Sequence, residues 1–140
     1  MNHEGTGSRD LGTRISTLWV VVMFNMIFAD ILGFMIRGAL QAASAGQAGV
    51  HVTQGLLLAF AILLEIPISM VFVSRILKPG PSRWANAVAA VVTTAFVVGG
   101  GSPYLHYWFF ETVEIVCMAL IVWLVWSRRG SAIATPRSVG

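Results

Sequence analysis

From Val52 to Leu77 the chain is almost continuously apolar, interrupted within the run chiefly by Glu65 and Arg75. Three stretches of the same character accompany it: Ile15 to about Leu40, Trp84 to about Gly100, and Tyr104 to Trp126. A hydrocarbon core of ~30 Å is crossed by about 20 helical residues, and each stretch approaches or exceeds that length. Composition points the same way. Of 140 residues, 56% are hydrophobic and only 11% charged, whereas soluble domains carry about 25% charged residues. So few charges cannot cover a soluble surface, and so many apolar residues exclude a disordered chain. The runs lack the alternation of a transmembrane barrel, and the chain is too short for about eight strands with loops. The expected fold class is all-α, a transmembrane up-down-up-down four-helix bundle.

The breaks define the organisation. Ala42 to Val50 is small and glycine-bearing and reads as a loop. Lys78 to Arg83 sets two prolines around a glycine and reads as a tight turn that no helix continues through. Gly99 to Pro103 is the third break, with Pro103 suited to a helix start. Three parts follow: a cytoplasmic N-terminal segment over 1–14, a transmembrane domain over 15–126 with helices at about 15–40, 52–77, 84–100 and 104–126, and a basic cytoplasmic tail over 127–140. A cleaved signal peptide is not expected, because the first apolar run is too long and contains Asp30 and Arg37.

Orientation follows from the basic residues. Arg9 and Arg14, then Arg75, Lys78 and Arg83, then Arg128, Arg129 and Arg137 fall on one side of four spans, leaving only Arg37 for the other. The side richer in Lys and Arg is cytoplasmic. The expected location is the cell membrane, multipass, with both termini inside and the basic face against anionic headgroups of the membrane lipids. Trp19, Trp84, Trp123 and Trp126 are expected in one interfacial belt, and Tyr104, Tyr107 and Trp108 in the other. Nothing in the basic pattern points to nucleic acid.

The informative residues are polar ones inside the apolar runs. Asn25 and Asp30 lie in the first, Glu65 near the middle of the second, and Glu111 and Glu114 in the fourth. An ionised side chain at mid-membrane costs about 2.5–3.5 kcal/mol on insertion scales, so four carboxylates facing lipid unpaired would cost on the order of 10 kcal/mol. Asp30, Glu65 and Glu114 are therefore expected to point into the bundle. Glu111 and Glu114, three apart, share a helix face. Arg37, two turns from Asp30, is the expected ion-pair partner of an acidic group. Pro67 frees the carbonyl of Leu63 beside Glu65, a candidate cation or proton site. His51 and His106 read as interfacial polar residues and Cys117 as a core residue; no metal motif and no cofactor are expected. Ala85, Ala89 and Thr93 form a small-residue packing stripe.

Several segments are familiar as a set. Residues 18–34 (LWVVVMFNMIFADILGF), 56–79 (LLLAFAILLEIPISMVFVSRILKP), 83–86 (RWAN) and 109–129 (FFETVEIVCMALIVWLVWSRR) resemble an uncharacterised family of small prokaryotic four-pass membrane proteins, a domain of unknown function. The pieces that carry the resemblance are Asp30, the segment Lys78–Asn86, and Glu114 with Trp123 and Trp126. It implies the four-helix topology and no activity. In size the chain is also similar to small multidrug exporters with a membrane Glu in the first helix. Here the acids are spread over three helices instead, and that function is not carried over.

The leading expectation is a small multipass membrane protein whose inward carboxylates Asp30, Glu65, Glu111 and Glu114, with Asn25, bind or relay a proton, a cation or a small cationic solute, for which a homodimer would be natural. The second is a non-transporting accessory or structural subunit, in which the acids hydrogen-bond between helices. The third is a membrane enzyme acting on a lipid or quinone, ranked last because no nucleophile–base pair is visible.

Overall fold

The computed structural model describes residues 3–36, 38, 41–42, 45, 53–101 and 103–127. Among them lie four helices: α1 (His3–Phe34), α2 (Gln54–Ile76), α3 (Pro79–Gly99) and α4 (Leu105–Ser127). No strand occurs among the described residues, and the fold is an all-α bundle. Helices α1 and α3 each pack against both α2 and α4. On α1 and α2 Gly12 abuts Ser74 and Ser16 meets Val71; on α3 and α4 Trp84 pairs with Trp126, and Gly101, just past α3, lies by Glu111.

The bounds depart from the apolar runs at two places. Helix α1 begins at His3, twelve residues before the apolar stretch. Residues 3–14 contain no proline to stop a helix already nucleated by the apolar segment, and Arg14 pairs with Asp10 one turn away at 3.0 Å. That pair is exposed and adds little. The other end of α1 stops at Phe34, short of Leu40. Met35 and Ile36 bond back to Leu32 and Gly33 at 3.1 and 3.2 Å, a tightening of the last turn, and Gly38 takes a φ of +85°. Arg37, His51, most of the loop 42–50 and the tail from Arg128 onward lie outside the described residues.

The second departure corrects the reading of Lys78–Arg83. It is not a turn outside the helices; Pro79 is the first residue of α3. Leu77 and Lys78 are extended, with ψ of 141° and 154°, as the residue before proline prefers. Proline suits the first turn because its missing N–H would have no intrahelical partner there. With Pro79 and Pro81 both in that turn, α3 starts without a side-chain cap. By contrast α2 is capped by Thr53, whose Oγ1 accepts from Leu56 N at 3.2 Å.

Among the described residues three segments are long and apolar enough to cross a membrane: Asp10–Phe34, Gln54–Ile76 and Leu105–Ser127. Helix α3 falls short of that hydropathy chiefly through Arg83 and Asn86 near its start; its Ser82, Asn86 and Thr93 are buried. Large apolar side chains stand exposed on every helix, among them Phe28, Phe72, Val91 and Trp123. The buried residues form one core centred on Trp19, Val22, Ala90, Met118 and Ile121.

At one end of that core sits a polar hub. Trp19, expected in an interfacial belt, is instead 0% exposed, and its Nε1–H donates to Asn86 Oδ1 at 2.8 Å. Ser74 Oγ–H donates to the same oxygen at 3.0 Å, and Asn86 Nδ2 donates to Ser82 O at 2.8 Å and Ser82 Oγ at 3.2 Å. One amide thus joins α1, α2 and α3. Beside it Ser16 Oγ–H donates to Val71 O at 2.7 Å and accepts from Arg75 Nε at 3.0 Å. Replacing Asn86 by Leu keeps the volume but leaves the Trp19 and Ser74 donors buried and unpaired, at about 1–3 kcal/mol each. Denaturant unfolding of the detergent-solubilised protein should show Asn86→Leu destabilised by at least ~2 kcal/mol; a loss under ~0.5 kcal/mol would remove the hub from the account.

Candidate functional site

Toward the other end of the bundle the four helices separate around a pocket of about 230 Å³. Its polar lining comes from α1 and α4. Asp30, expected to point into the bundle, is instead exposed and sits at the pocket's edge, because the inward positions of this turn are taken by buried Met26 and Ala29. On α4, Tyr107, Phe110, Glu111 and Glu114 recur at i, i+3, i+4 and i+7, which places all four on the face turned to the pocket. Helices α2 and α3 contribute Phe60 and Phe96, whose rings meet edge to face at 5.7 Å. The turn at Gly100–Gly101 closes the remaining side, with Glu111 Oε2 3.5 Å from the place a β-carbon would take on Gly101.

Glu114 is 3% exposed and makes no hydrogen bond to a described residue. It lies among apolar side chains with its carboxyl on the pocket wall. Among the described residues the lining holds three acids and no basic side chain. No three His, Cys, Asp or Glu side chains among the described residues are grouped closely enough to hold a metal ion. The carboxyls border a space of organic-molecule size instead of converging on a point. Thr93, on the inner face of α3 one turn before Phe96 and Val97, is 2% exposed, and its Oγ1 has no hydrogen-bond partner among the described residues.

The structure therefore brings Asp30, Glu111 and Glu114 together and leaves Glu65 and Asn25 apart. The expectation that Glu65 points inward is corrected: Glu65 is exposed. Helical geometry gives the reason. Pro67, Met70 and Ser74 turn inward, and Glu65 is two residues, about 200°, from Pro67. Asn25 is half-buried and its Nδ2 donates to Val21 O of its own helix at 2.8 Å. Arg37 lies outside the described residues. Tyr107, expected in a belt, is half-buried in the pocket wall. Its hydroxyl rests where a β-carbon on Gly33 would stand, so only glycine at 33 lets the ring lie in this position. Cys117 is buried in the core beside the site, as expected.

Residues 6–135 match the model of a family described as "Family of unknown function (DUF6326)". The chain belongs to this family. No curated protein and no solved structure matches it. Membership covers the whole pocket, so Asp30 and Glu114, which carried the resemblance in the sequence, prove to be two of the three acids at one site. The aromatic wall was partly legible, since the α4 spacing is visible in the chain. That Phe60 and Phe96 meet across α2 and α3 is a tertiary fact.

A buried carboxyl without a hydrogen bond costs the folded state. Glu114→Leu fills similar volume and breaks no hydrogen bond to a described residue, so it should raise stability in detergent, by about 1–3 kcal/mol. An interhelical structural acid would behave oppositely, and a clear fall in the unfolding midpoint would assign Glu114 that role.

Proposed function

We propose that this is an integral membrane protein with four crossings and cytoplasmic termini, whose pocket binds a small organic cation, an alkylammonium-type solute. The observation that carries the reading is the combination of Asp30, Glu111 and Glu114 with Phe60, Phe96, Phe110 and Tyr107 around one pocket of about 230 Å³. Carboxylates supply charge. Aromatic faces attract a cation whose surface is partly apolar, worth about 0.5–2 kcal/mol per contact. A bare proton or metal ion would use neither the volume nor the rings, since a water molecule's share of space is only about 30 Å³.

The fourth crossing is α3. Its 21 residues reach about 31 Å at ~1.5 Å per residue, enough for the hydrocarbon core. Its polar residues Asn86 and Ser82 are turned inward and hydrogen-bonded to each other, so they need not meet lipid. Arg14, Arg75, Lys78 and Arg83 gather at the hub end of the bundle, which supports a cytoplasmic basic face against anionic headgroups. The pocket then lies toward the outer end.

Binding is read by calorimetry on the detergent-purified protein with propylammonium and tetramethylammonium, against sodium and acetate. Saturable binding of the ammonium probes is expected. Glu114→Gln and Asp30→Asn should each weaken it by about tenfold or more, a loss of ~1.4 kcal/mol, and Phe96→Leu by several-fold with tetramethylammonium. Failure of both ammonium ions to bind a folded protein, or equal binding by Glu114→Gln, would sink the reading. Orientation is tested in a Cys117→Ala background by membrane-impermeant thiol labelling. Lys78→Cys should label only from the cytoplasmic side and Thr53→Cys only from outside; the reverse pattern would overturn the topology.

A further inference from the structure

Glu65 is the residue the pocket leaves unexplained. It stands at the centre of α2, with eleven residues of the helix on either side, and it is exposed. Its neighbours on the same face one turn before and after, Ala61 and Ser69, are small and also exposed. The rest of that face is apolar, with Leu58, Ile62, Ile68 and Phe72 exposed. Among the three segments apolar enough to span a membrane, α2 is the least covered: 11% of its span is buried, against 28% for each of the other two. This argument rests on the membrane location and is independent of what the pocket binds.

A carboxyl group in the middle of a lipid-facing helix has no partner in hydrocarbon. The surface must therefore be covered by protein, and the cover must offer hydrogen bonds at the height of Glu65. We propose that the α2 face centred on Glu65 is the interface with a second copy of this chain. A carboxylic acid both donates and accepts, so two copies of Glu65 meeting at a two-fold axis satisfy one another. Ala61 and Ser69 provide the small side chains that let two membrane helices approach closely. With both copies inserted in the same orientation the two-fold axis runs along the membrane normal, the two α2 helices are parallel, and Glu65 meets its counterpart. The flanking residues then pair in register, Ala61 with Ala61 and Ser69 with Ser69.

The test uses the full chain in membranes with Cys117→Ala, so that introduced thiols are the only ones. Ser69→Cys alone, and Ala61→Cys alone, should each form a disulfide-linked dimer. Val116→Cys, on exposed α4 surface, is the control and should stay monomeric. Fluorescence measurement of dimerisation in lipid vesicles provides the second arm. Glu65→Gln should retain the dimer, since an amide also donates and accepts. Glu65→Leu should weaken it by about tenfold for the loss of two hydrogen bonds. Ser69→Trp, a change on the outer surface that spares the bundle, should abolish it. A monomer at all protein-to-lipid ratios, cross-linking only through Val116→Cys, or full dimerisation of Ser69→Trp would overturn the proposal. Loss of ammonium binding with the dimer intact would reject the pocket reading alone.

Discussion

The amide of Asn86 is the point on which the arrangement of helices turns. In a bundle with few polar groups, a buried amide is costly unless each of its atoms is paired. Asn86 meets that condition by holding Trp19 of α1, Ser74 of α2 and Ser82 of its own helix. Apolar contacts alone leave helices free to rotate and slide, because many packings bury similar area. A hydrogen-bonded hub does not. It sets the rotation of three helices at once, and the faces those helices present eleven or more residues further along follow from it, about 16 Å away for Val97.

The two ends of the bundle use polar groups in opposite ways. At the hub, donors and acceptors are matched. At the pocket, the Glu114 carboxyl borders the cavity, and between the two ends the Thr93 hydroxyl is buried without a partner among the described residues. Unpaired buried polar groups lower stability, and proteins keep them where they serve a site. That contrast sets the two ends of the bundle apart. It also assigns different roles to residues of one chemical type: Glu114 lines a cavity, while Glu65 faces out from a helix whose inner side is taken by Pro67 and Met70.

The pocket's shape depends on close approaches as much as on charge. Gly33 lets the Tyr107 hydroxyl lie against α1, and Gly12 brings α1 within 2.9 Å, measured from its β-carbon position, of the Ser74 carbonyl. Glycine at these two positions allows helix α1 to sit tightly against α2 at one end and against α4 at the other. The aromatic ring of Tyr107 is thereby held in the wall, beside the acids, instead of turning outward to an interface.

The sequence by itself determined the class of fold, the existence of four helices, and which residues were out of place in apolar surroundings. These are properties of local pattern: run length, charge count and helix-breaking residues act over a few turns. The Pro79–Pro81 segment opened a helix where a turn was expected, because proline is excluded from helix interiors and not from helix starts. Which acids share a site was decided by tertiary structure. Asp30 and Glu114 meet because α1 packs on α4, and Glu65 does not join them because Pro67, Met70 and Ser74 claim the inner side of α2. Rotation of a helix about its axis is a choice among faces of similar hydropathy, and only the packed bundle, through the partners each polar group finds, makes that choice.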